Sequence, residues 1–296
     1  MSNPNLQVSA EVRALFPDVF KARPVDSHKG TFGSLGVIGG ASGMSGAAVL
    51  AGTAAAYMGA GKVWVGFNQD SLPMPIIPGQ PEILLATAKE LMQRKDIDAW
   101  VIGCGFGLSD SSAELLRRIL LLGIERAEHN VPMLLDADAL TLLSLHEDLA
   151  ALARQCPSII ITPHAAEAAR LLHVSTELVA ADRKTAVSAL SDQYGGIAVL
   201  KGYQTLVADG AAVYQNNSGN PGLSTGGSGD VLSGIIGALL AQGISAWQAT
   251  RAGVWLHGAA ADYLRDLHGG EIGMLAGELP VAARAVRNAG VIRVKG

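Results

Sequence analysis

The 296-residue chain has few of the residues that mark secreted or nucleic-acid-binding proteins. Its two cysteines, Cys104 and Cys156, are too few for a disulfide framework and lack metal-ligand spacing, so we expect small core residues in a reducing compartment. Lys and Arg are scattered, and the formal net charge is −4. Because phosphate backbones are bound by clustered positive charge, nucleic acid is not an expected partner.

Long apolar runs and targeting signals are also missing. The longest apolar stretch, around Val231 to Ala241, is interrupted by glycines and is too short to span a bilayer. The first two dozen residues include Glu11, Pro17 and Asp18 without a sustained apolar segment, which argues against a signal or transit peptide. We therefore expect a cytoplasmic protein with no membrane partner.

Apolar residues make up 49% of the chain and charged residues only 16%, which favours a large sheet covered by helices on both faces. Short apolar segments precede Ala/Leu-rich segments of helical periodicity, and this predicts repeated strand–helix units. The predicted strands are Leu35–Ile38, Val63–Phe67, Ala99–Ile102, Met133–Asp136, Ile159–Thr162 and Ile197–Lys201. The helices predicted between them are Ser45–Gly59, Ser111–Glu128, His164–Leu172 and Leu178–Gln193. Right-handed crossovers then give a doubly wound, mainly parallel α/β sheet.

The pattern changes after the sixth predicted strand. Thr205–Ala208 and Ala211–Gln215 flank Asp209-Gly210, a pair typical of tight turns, which predicts an antiparallel hairpin at the sheet edge. Further helices are predicted over Asp230–Gln242, Trp247–Leu267 and Leu279–Ala289. Because no linker or repeat interrupts the chain, we expect an N-terminal extension over residues 1–24 and a single catalytic domain over residues 25–296.

Glycine is abundant, and one cluster between Asn216 and Gly237 is especially dense. A glycine-rich loop that leads into a helix leaves unpaired N–H groups at the positive end of the helix dipole, where a phosphate can bind. Asp230 lies at the predicted start of that helix. A carboxylate there would repel phosphate unless it takes a proton from a nearby hydroxyl. Asp230 is thus either a catalytic base or only a helix cap.

Other polar and glycine residues follow predicted strands, at the edge where open α/β sheets bind ligands. They are the loops Gly39–Gly46 and Gly103–Gly107, Asp136 with Asp138, His164 with Glu167, and Lys201 with Gly202. The carboxylates and the imidazole could hold magnesium through water and orient a substrate, or they could simply begin helices. Lys201 and Gly202 offer a charge and backbone donors to a nucleotide phosphate.

In combination, these motifs resemble a known family. The motifs are His28-Lys29-Gly30, the first glycine-rich loop, DADAL at 136–140, TPH at 162–164 with Glu167, LKG at 200–202 with Thr205, and GNPG…TGGSGDVLSG at 219–234. Their order is similar to that of the ADP/ATP-dependent NAD(P)H-hydrate dehydratases, a branch of the ribokinase-like superfamily. The resemblance covers about residues 25 to 290, and the ordered combination is specific although each motif alone is weak.

The resemblance implies repair of hydrated NADH or NADPH, in which a nucleotide phosphorylates the ring hydroxyl and phosphate is then eliminated. It implies Asp230 as the base, Mg2+, and ADP or ATP as co-substrate. The expected substrate contacts are Ala47, Gly107, Asp136, His164 and Asp230. The expected nucleotide contacts are Lys201, Gly202, Tyr203, Gln204, Thr205, Gly227 and Gly229. Glu167 is expected to hold the metal through water.

The resemblance further implies specificity for the S epimer and a homotetramer. The segment before Pro24 is too short for the epimerase domain of many relatives, so we expect another protein to handle the R epimer. Cys104 and Phe106 replace the usual Pro and Leu, and Glu278 replaces the usual Asp, which leaves its role open. Two alternatives stay open: a ribokinase-like kinase of a small alcohol, such as hydroxyethylthiazole or hydroxymethylpyrimidine, and a nucleotide-sensing module without catalysis.

Overall fold

The computed structural model describes residues 6–291, and its centre is a nine-stranded sheet. The strands are β1 (Ser34–Gly39), β2 (Lys62–Phe67), β3 (Leu84–Thr87), β4 (Ala99–Ile102), β5 (Met133–Leu135), β6 (Ile159–Ile161), β7 (Ile197–Leu200), β8 (Leu206–Asp209) and β9 (Ala212–Gln215). Their spatial order is β3-β2-β1-β4-β5-β6-β7-β8-β9. Strands β1 to β7 are parallel, and β8 and β9 add the predicted antiparallel hairpin at one edge.

Helices cover both faces of this sheet. They are α1 (Ala10–Leu15), α2 (Ser45–Tyr57), α3 (Ala88–Met92), α4 (Asp110–Glu125), α5 (Asp138–Leu145), α6 (Glu147–Ala153), α7 (Ala165–Leu172), α8 (Thr176–Ala181), α9 (Arg183–Tyr194), α10 (Ser228–Ala241), α11 (Ala246–His268) and α12 (Leu279–Gly290). None of the described helices is long and apolar enough to cross a membrane.

Alternating side chains of the strands separate the core into two layers. Val37 in β1 packs with α2, α10, α11 and α12 on one face, whereas the adjacent Ile38 packs with α3 to α9 on the other. Both faces are buried because parallel crossovers place a helix over each pair of strands. The predicted doubly wound, mainly parallel α/β fold with an edge hairpin is confirmed.

Several elements differ from the sequence-based predictions. Strand β3 and the helices α3, α5 and α6 were not expected, and β3 has only four residues, too few to show a clear alternation. The predicted strand Met133–Asp136 ends at Leu135, because the backbone of Ala137 takes a positive φ of 49° and turns the chain into α5. Asp136 is the last residue bonded to β4, through its N–H to the carbonyl of Ile102 at 3.0 Å, and it lies at the site described below.

The segment expected as an N-terminal extension contributes to the main core. Phe16 and Phe20 are buried, and their ring centroids lie 6.2 Å from Tyr214 and 6.1 Å from Trp255, respectively. The segment therefore packs against α11 and the edge hairpin.

Candidate active site

The order of the strands reverses at β1, which has β2 on one side and β4 on the other, so a crevice forms beyond their carboxyl ends. The loops that follow β1 and β4 are bonded to each other there. The N–H of Gly40 donates to the carbonyl of Cys104 at 2.9 Å, and that of Ala41 donates to Gly105 at 2.7 Å. A Cβ at Gly39 would lie 2.1 Å from the Cys104 carbonyl, so this close approach requires glycine.

Two of the predicted substrate contacts lie in this crevice. Ala47, in the first turn of α2, faces the second loop, where its Cβ would be 3.0 Å from a Cβ placed on Gly105. Gly107 ends the second loop with a φ of 85°, and its N–H donates to Oδ2 of Asp138 at 2.8 Å. Asp138 therefore fixes the second loop and does not cap α5, whose N-cap is Ala137.

Helix α10 begins beside these loops, and the N–H of its first residue, Ser228, donates to the carbonyl of Thr225 at 3.4 Å. Its N-cap is Gly227, with a φ of 90° and no capping side chain, and Asp230 is the third helical residue. The interpretation of Asp230 as a mere helix cap is therefore wrong. Within residues 6–291, no hydrogen-bond acceptor is recorded for the N–H groups of Gly226, Gly227, Gly229 and Asp230. Free donors at a helix start attract an anion.

The Asp230 carboxylate lies in an environment that favours its neutral form. Burial, and then the negative charge of Asp136, raise the pKa of Asp230 to about 6, although a hydrogen bond from the Cys104 thiol acts in the opposite direction. Burial holds the pKa of Cys104 well above its usual value, so this thiol is neutral at pH 7. A base with a pKa close to the working pH is effective in proton transfer.

Cys104 is a site residue that sequence reasoning missed. Both cysteines are buried, as predicted, and Cys156 packs in the core on the other face of the sheet. The available signal for Cys104 was its position directly after β4, at the carboxyl edge of the sheet, where polar atoms face ligands.

Asp136 is fully engaged with protein groups. It is 1% exposed, its Oδ1 lies 2.6 Å from Nζ of Lys201 and accepts from the N–H of Ala137 at 2.8 Å, and its Oδ2 accepts from Oγ of Ser233 at 2.7 Å. Each oxygen of Asp136 is thus bonded to a protein donor, and its expected contact with the substrate stays a prediction. Ser233, one turn after the catalytic candidate in α10, was not predicted as a site residue.

Lys201 extends beneath the start of α10. Its Nζ lies 3.9 Å from Oε2 of Glu167 and 3.6 Å from where a Cβ on Gly229 would be. Burial alone would lower the pKa of Lys201, but the carboxylates of Asp136 and Glu167 outweigh it and raise the pKa. The ammonium therefore stays charged and adds to the positive potential at the helix start.

His164 and Glu167 form a capping box at the start of α7. Nδ1 of His164 accepts from the N–H of Ala166 at 3.1 Å, and Oε2 of Glu167 accepts from the N–H of His164 at 2.8 Å. Burial, and then the charge of Lys201, lower the pKa of His164, so its imidazole is neutral at pH 7. Because His164 is exposed, its Nε2 edge can still reach a ligand.

The described residues contain no cluster of three His, Cys, Asp or Glu side chains that could hold a metal ion. Burial raises the pKa of Glu167, and its Oε2 is already bonded to the N–H of His164. This arrangement fits a Mg2+ ion that is held mainly by phosphate oxygens. Protein oxygens such as those of Glu167 would contact the ion through water, which is common for magnesium.

The predicted nucleotide loop, residues 201–205, lies at the end of β7. Tyr203 is 85% exposed, Gln204 has a positive φ of 53°, and Oγ1 of Thr205 donates to the carbonyl of Gly202 at 2.9 Å. Glu278 caps its own turn, because its Oε2 accepts from the N–H of Leu275 at 2.8 Å. In the same turn, Ala276 lies 3.3 Å from where a Cβ on Gly227 would be.

Comparisons with known proteins agree with this geometry. A family profile described as NAD(P)H-hydrate dehydratase matches residues 35–282. The ADP-dependent (S)-NAD(P)H-hydrate dehydratase of Neisseria meningitidis is 54% identical over 275 residues, which cover 92% of this chain and 91% of that protein. The bifunctional NAD(P)H-hydrate repair enzyme of Coxiella burnetii is 42% identical over 274 residues, which are 91% of this chain and 53% of that longer protein.

Solved structures show the same fold. The ADP/ATP-dependent NAD(P)H-hydrate dehydratase of Bacillus subtilis, co-crystallised with ATP and Mg2+, superposes with a TM-score of 0.78 at 28% identity, covering 96% of this chain and 98% of that one. A ribokinase-like superfamily protein of Enterococcus faecalis gives a TM-score of 0.80 at 26% identity, with 98% of each chain covered. From the family profile and the relatives together, the chain belongs to the NAD(P)H-hydrate dehydratase family.

Proposed function

We propose that the protein uses ADP to dehydrate the S epimer of hydrated NADH or NADPH and so restores NAD(P)H, with Asp230 as the catalytic base. The observation that carries this proposal is the carboxylate of Asp230, whose pKa is raised to about 6, beside the free N–H groups at the start of α10. The family of the chain and the name of the meningococcal relative support the substrate and the nucleotide.

The reaction has two steps. Asp230 accepts the proton of the ring hydroxyl while that oxygen bonds to the terminal phosphorus of the nucleotide, and the bond from this phosphorus to the leaving nucleotide oxygen breaks. Next, the carbon–oxygen bond to phosphate breaks with help from the ring nitrogen lone pair, and a neighbouring carbon loses a proton to the departing phosphate. Asp230 then releases the proton it accepted to solvent. The products are NAD(P)H, inorganic phosphate and the shortened nucleotide. The free N–H groups and Lys201 stabilise the charge of the transferred phosphoryl group.

The other site residues divide between the two ligands. Ala47, Gly107 and the neutral His164 contact the hydrated dinucleotide, as the crevice between the first two glycine-rich loops allows. The nucleotide contacts residues 201–205 together with Gly227 and Gly229. Asp136 acts as the counter-ion of Lys201, whose Nζ lies 2.6 Å from its Oδ1.

Mg2+ belongs to this proposal as an ion that enters on the nucleotide. Glu167 would contact it through water, and the ion would neutralise phosphate charge. We also propose that residues 25–296 form one catalytic domain, that the protein acts in the cytoplasm, and that it forms a homotetramer, which light scattering after size-exclusion chromatography tests.

The direct test incubates purified protein with S-hydrated NADH, ADP or ATP, and Mg2+. We expect absorbance at the NADH band to recover together with release of one inorganic phosphate per NADH, at a higher kcat/KM with ADP than with ATP. No recovery with either nucleotide would refute the proposal. A stable phosphorylated product without free phosphate would indicate the small-alcohol kinase instead, and nucleotide binding without turnover would indicate the sensing module.

A further inference from the structure

Arg183, the first residue of α9, is directed at the predicted nucleotide loop from behind. Its guanidinium donates to the carbonyl of Leu200 at 3.1 Å, to that of Gln204 at 3.4 Å, and to that of Tyr203 through a short bond. One side chain thus connects carbonyls on both sides of the loop. Such a fork of donors in one plane is a property of arginine that lysine lacks.

The carbonyls of Gly202, Tyr203 and Gln204 are occupied, whereas the N–H groups of the same three residues are not. Oγ1 of Thr205 takes the carbonyl of Gly202, and Arg183 takes those of Leu200, Tyr203 and Gln204. In the part of the chain that the structure describes, no acceptor is recorded for the N–H groups of the three central loop residues, 202, 203 and 204. Successive free N–H groups in a turn with a left-handed residue form a concave anion site.

The charge of Arg183 also acts on this loop. Burial lowers the pKa of Arg183, but an arginine remains protonated at neutral pH. The neighbouring carboxylate, Asp182, bonds to the N–H and Oγ1 of Thr185 at 3.0 and 2.7 Å and not to Arg183. The guanidinium packs 3.3 Å from where a Cβ on Gly202 would be, directly behind the loop.

We infer that Arg183 is a positioning residue for the nucleotide: it holds the carbonyls of Leu200, Tyr203 and Gln204 inward, so that the N–H groups of residues 202–204 face a nucleotide phosphate. This inference rests on the proposed function for the identity of the ligand. It assigns no contact between Arg183 and the nucleotide, and it leaves proton transfer by Asp230 unaffected. It therefore predicts an effect on nucleotide affinity that is separate from kcat.

The test compares Arg183→Gln and Arg183→Lys with wild type, and Lys184→Gln serves as the matched control because it removes the adjacent exposed cation. By calorimetry and steady-state kinetics, we expect Arg183→Gln to raise the Kd and KM for ADP about tenfold, while kcat and the KM for hydrated NADH change less than about threefold. Arg183→Lys keeps the charge but not the fork, so its Kd should lie between those of wild type and Arg183→Gln.

Several outcomes would overturn the inference: an unchanged ADP affinity in Arg183→Gln, equal losses of kcat and affinity for both ligands, or an equal effect of Lys184→Gln. If Arg183→Gln does not fold, the affinity and thermal unfolding of Arg183→Lys decide the question. Wild-type protein that binds ADP but does not restore NADH would refute the proposed function, whereas the affinity comparison would still judge Arg183. Wild-type protein that binds neither nucleotide would overturn both.

Discussion

Asp136 and Asp230 lie at the same edge of the sheet, and the chain surrounds them differently. Asp136 is buried with an ammonium, a hydroxyl and an N–H bonded to its two oxygens. Asp230 is only partly buried, has the neutral Cys104 thiol as a neighbour, and has its pKa raised to about 6. Helix α10 connects the two environments, because it carries Asp230 in its first turn and Ser233 in the next.

This difference distinguishes a carboxylate that stabilises the fold from one that can transfer protons. A buried carboxylate that is bonded to an ammonium and a hydroxyl is costly to disturb, because its removal leaves these partners buried and unpaired. A carboxylate that desolvation and a like charge push toward neutrality is a candidate acid or base. Replacing each aspartate by asparagine should therefore give opposite results, and the predictions below test this contrast.

Asp230→Asn should have the largest effect. An amide cannot accept the hydroxyl proton, so we expect kcat to fall by about 10³-fold, the scale of lost general-base catalysis. The affinity for ADP should stay within about threefold, since the free N–H groups of α10 remain. Steady-state assays measure kcat, and calorimetry on the same preparation measures the affinity for ADP. A variant that keeps more than about a tenth of wild-type kcat would remove Asp230 from the base role.

Asp136→Asn should cause the largest loss of stability. It leaves the ammonium of Lys201 buried with only the more distant Glu167, at 3.9 Å, and we expect the free energy of unfolding to fall by about 3 kcal/mol in urea titrations. Asp136→Glu is the control that keeps the charge. A loss no larger than that of a surface Asp→Asn change would contradict the counter-ion role.

The same variant should also shift the pH dependence of activity. In the wild type, kcat/KM should rise about tenfold per pH unit below the Asp230 pKa of about 6 and level off above it, because the base must be ionised. Asp136→Asn removes a negative charge that raises this pKa, so the acid limb should move to lower pH. An unmoved limb would mean that Asp136 does not influence Asp230.

Much of this picture could be predicted from the sequence. Glycine clusters and apolar runs predicted most of the strands and the carboxyl edge, because ligands of open α/β sheets bind beyond the carboxyl ends of the strands. Short elements escaped prediction for a physical reason: β3 has four residues and gains its stability from pairing with β2, which no local pattern encodes.

The sequence identified Asp230, Lys201 and Asp136 as polar residues at strand or helix ends but not their pairing. Lys201 and Asp136 are 65 residues apart and meet only because β5, β6 and β7 are neighbours. Arg183 likewise lies at a helix start that has no motif, and its interaction with the loop depends on how α9 packs. Long-range pairing of this kind is a property of the fold and not of local spacing.

Neutralising Asp230 should stabilise the protein at alkaline pH. Its pKa is raised from 3.8 to about 6 in the folded state, so the folded protein binds the proton more tightly than the unfolded chain does. Stability should therefore fall as the pH rises from about 4 to 6 and remain lower above that range. We expect the free energy of unfolding of Asp230→Asn to exceed that of the wild type by about 1–2 kcal/mol at pH 8 and to equal it near pH 4. Equal effects at both pH values would contradict the raised pKa.

Ser233→Ala should give the smallest change and test the last bond of the Asp136 group. Loss of the 2.7 Å hydrogen bond leaves Oδ2 of Asp136 buried without its donor, and we expect the free energy of unfolding to fall by about 1 kcal/mol. Thr250→Val is the matched control, because Thr250 is also fully buried on a helix but its Oγ1 has no partner among the described residues. Removing that hydroxyl should cost nothing. Equal destabilisation of the two variants would show that Ser233 contributes only packing. A loss of stability confined to Ser233→Ala, with the acid limb of the kcat/KM profile unchanged, would show that Ser233 supports Asp136 without setting its charge.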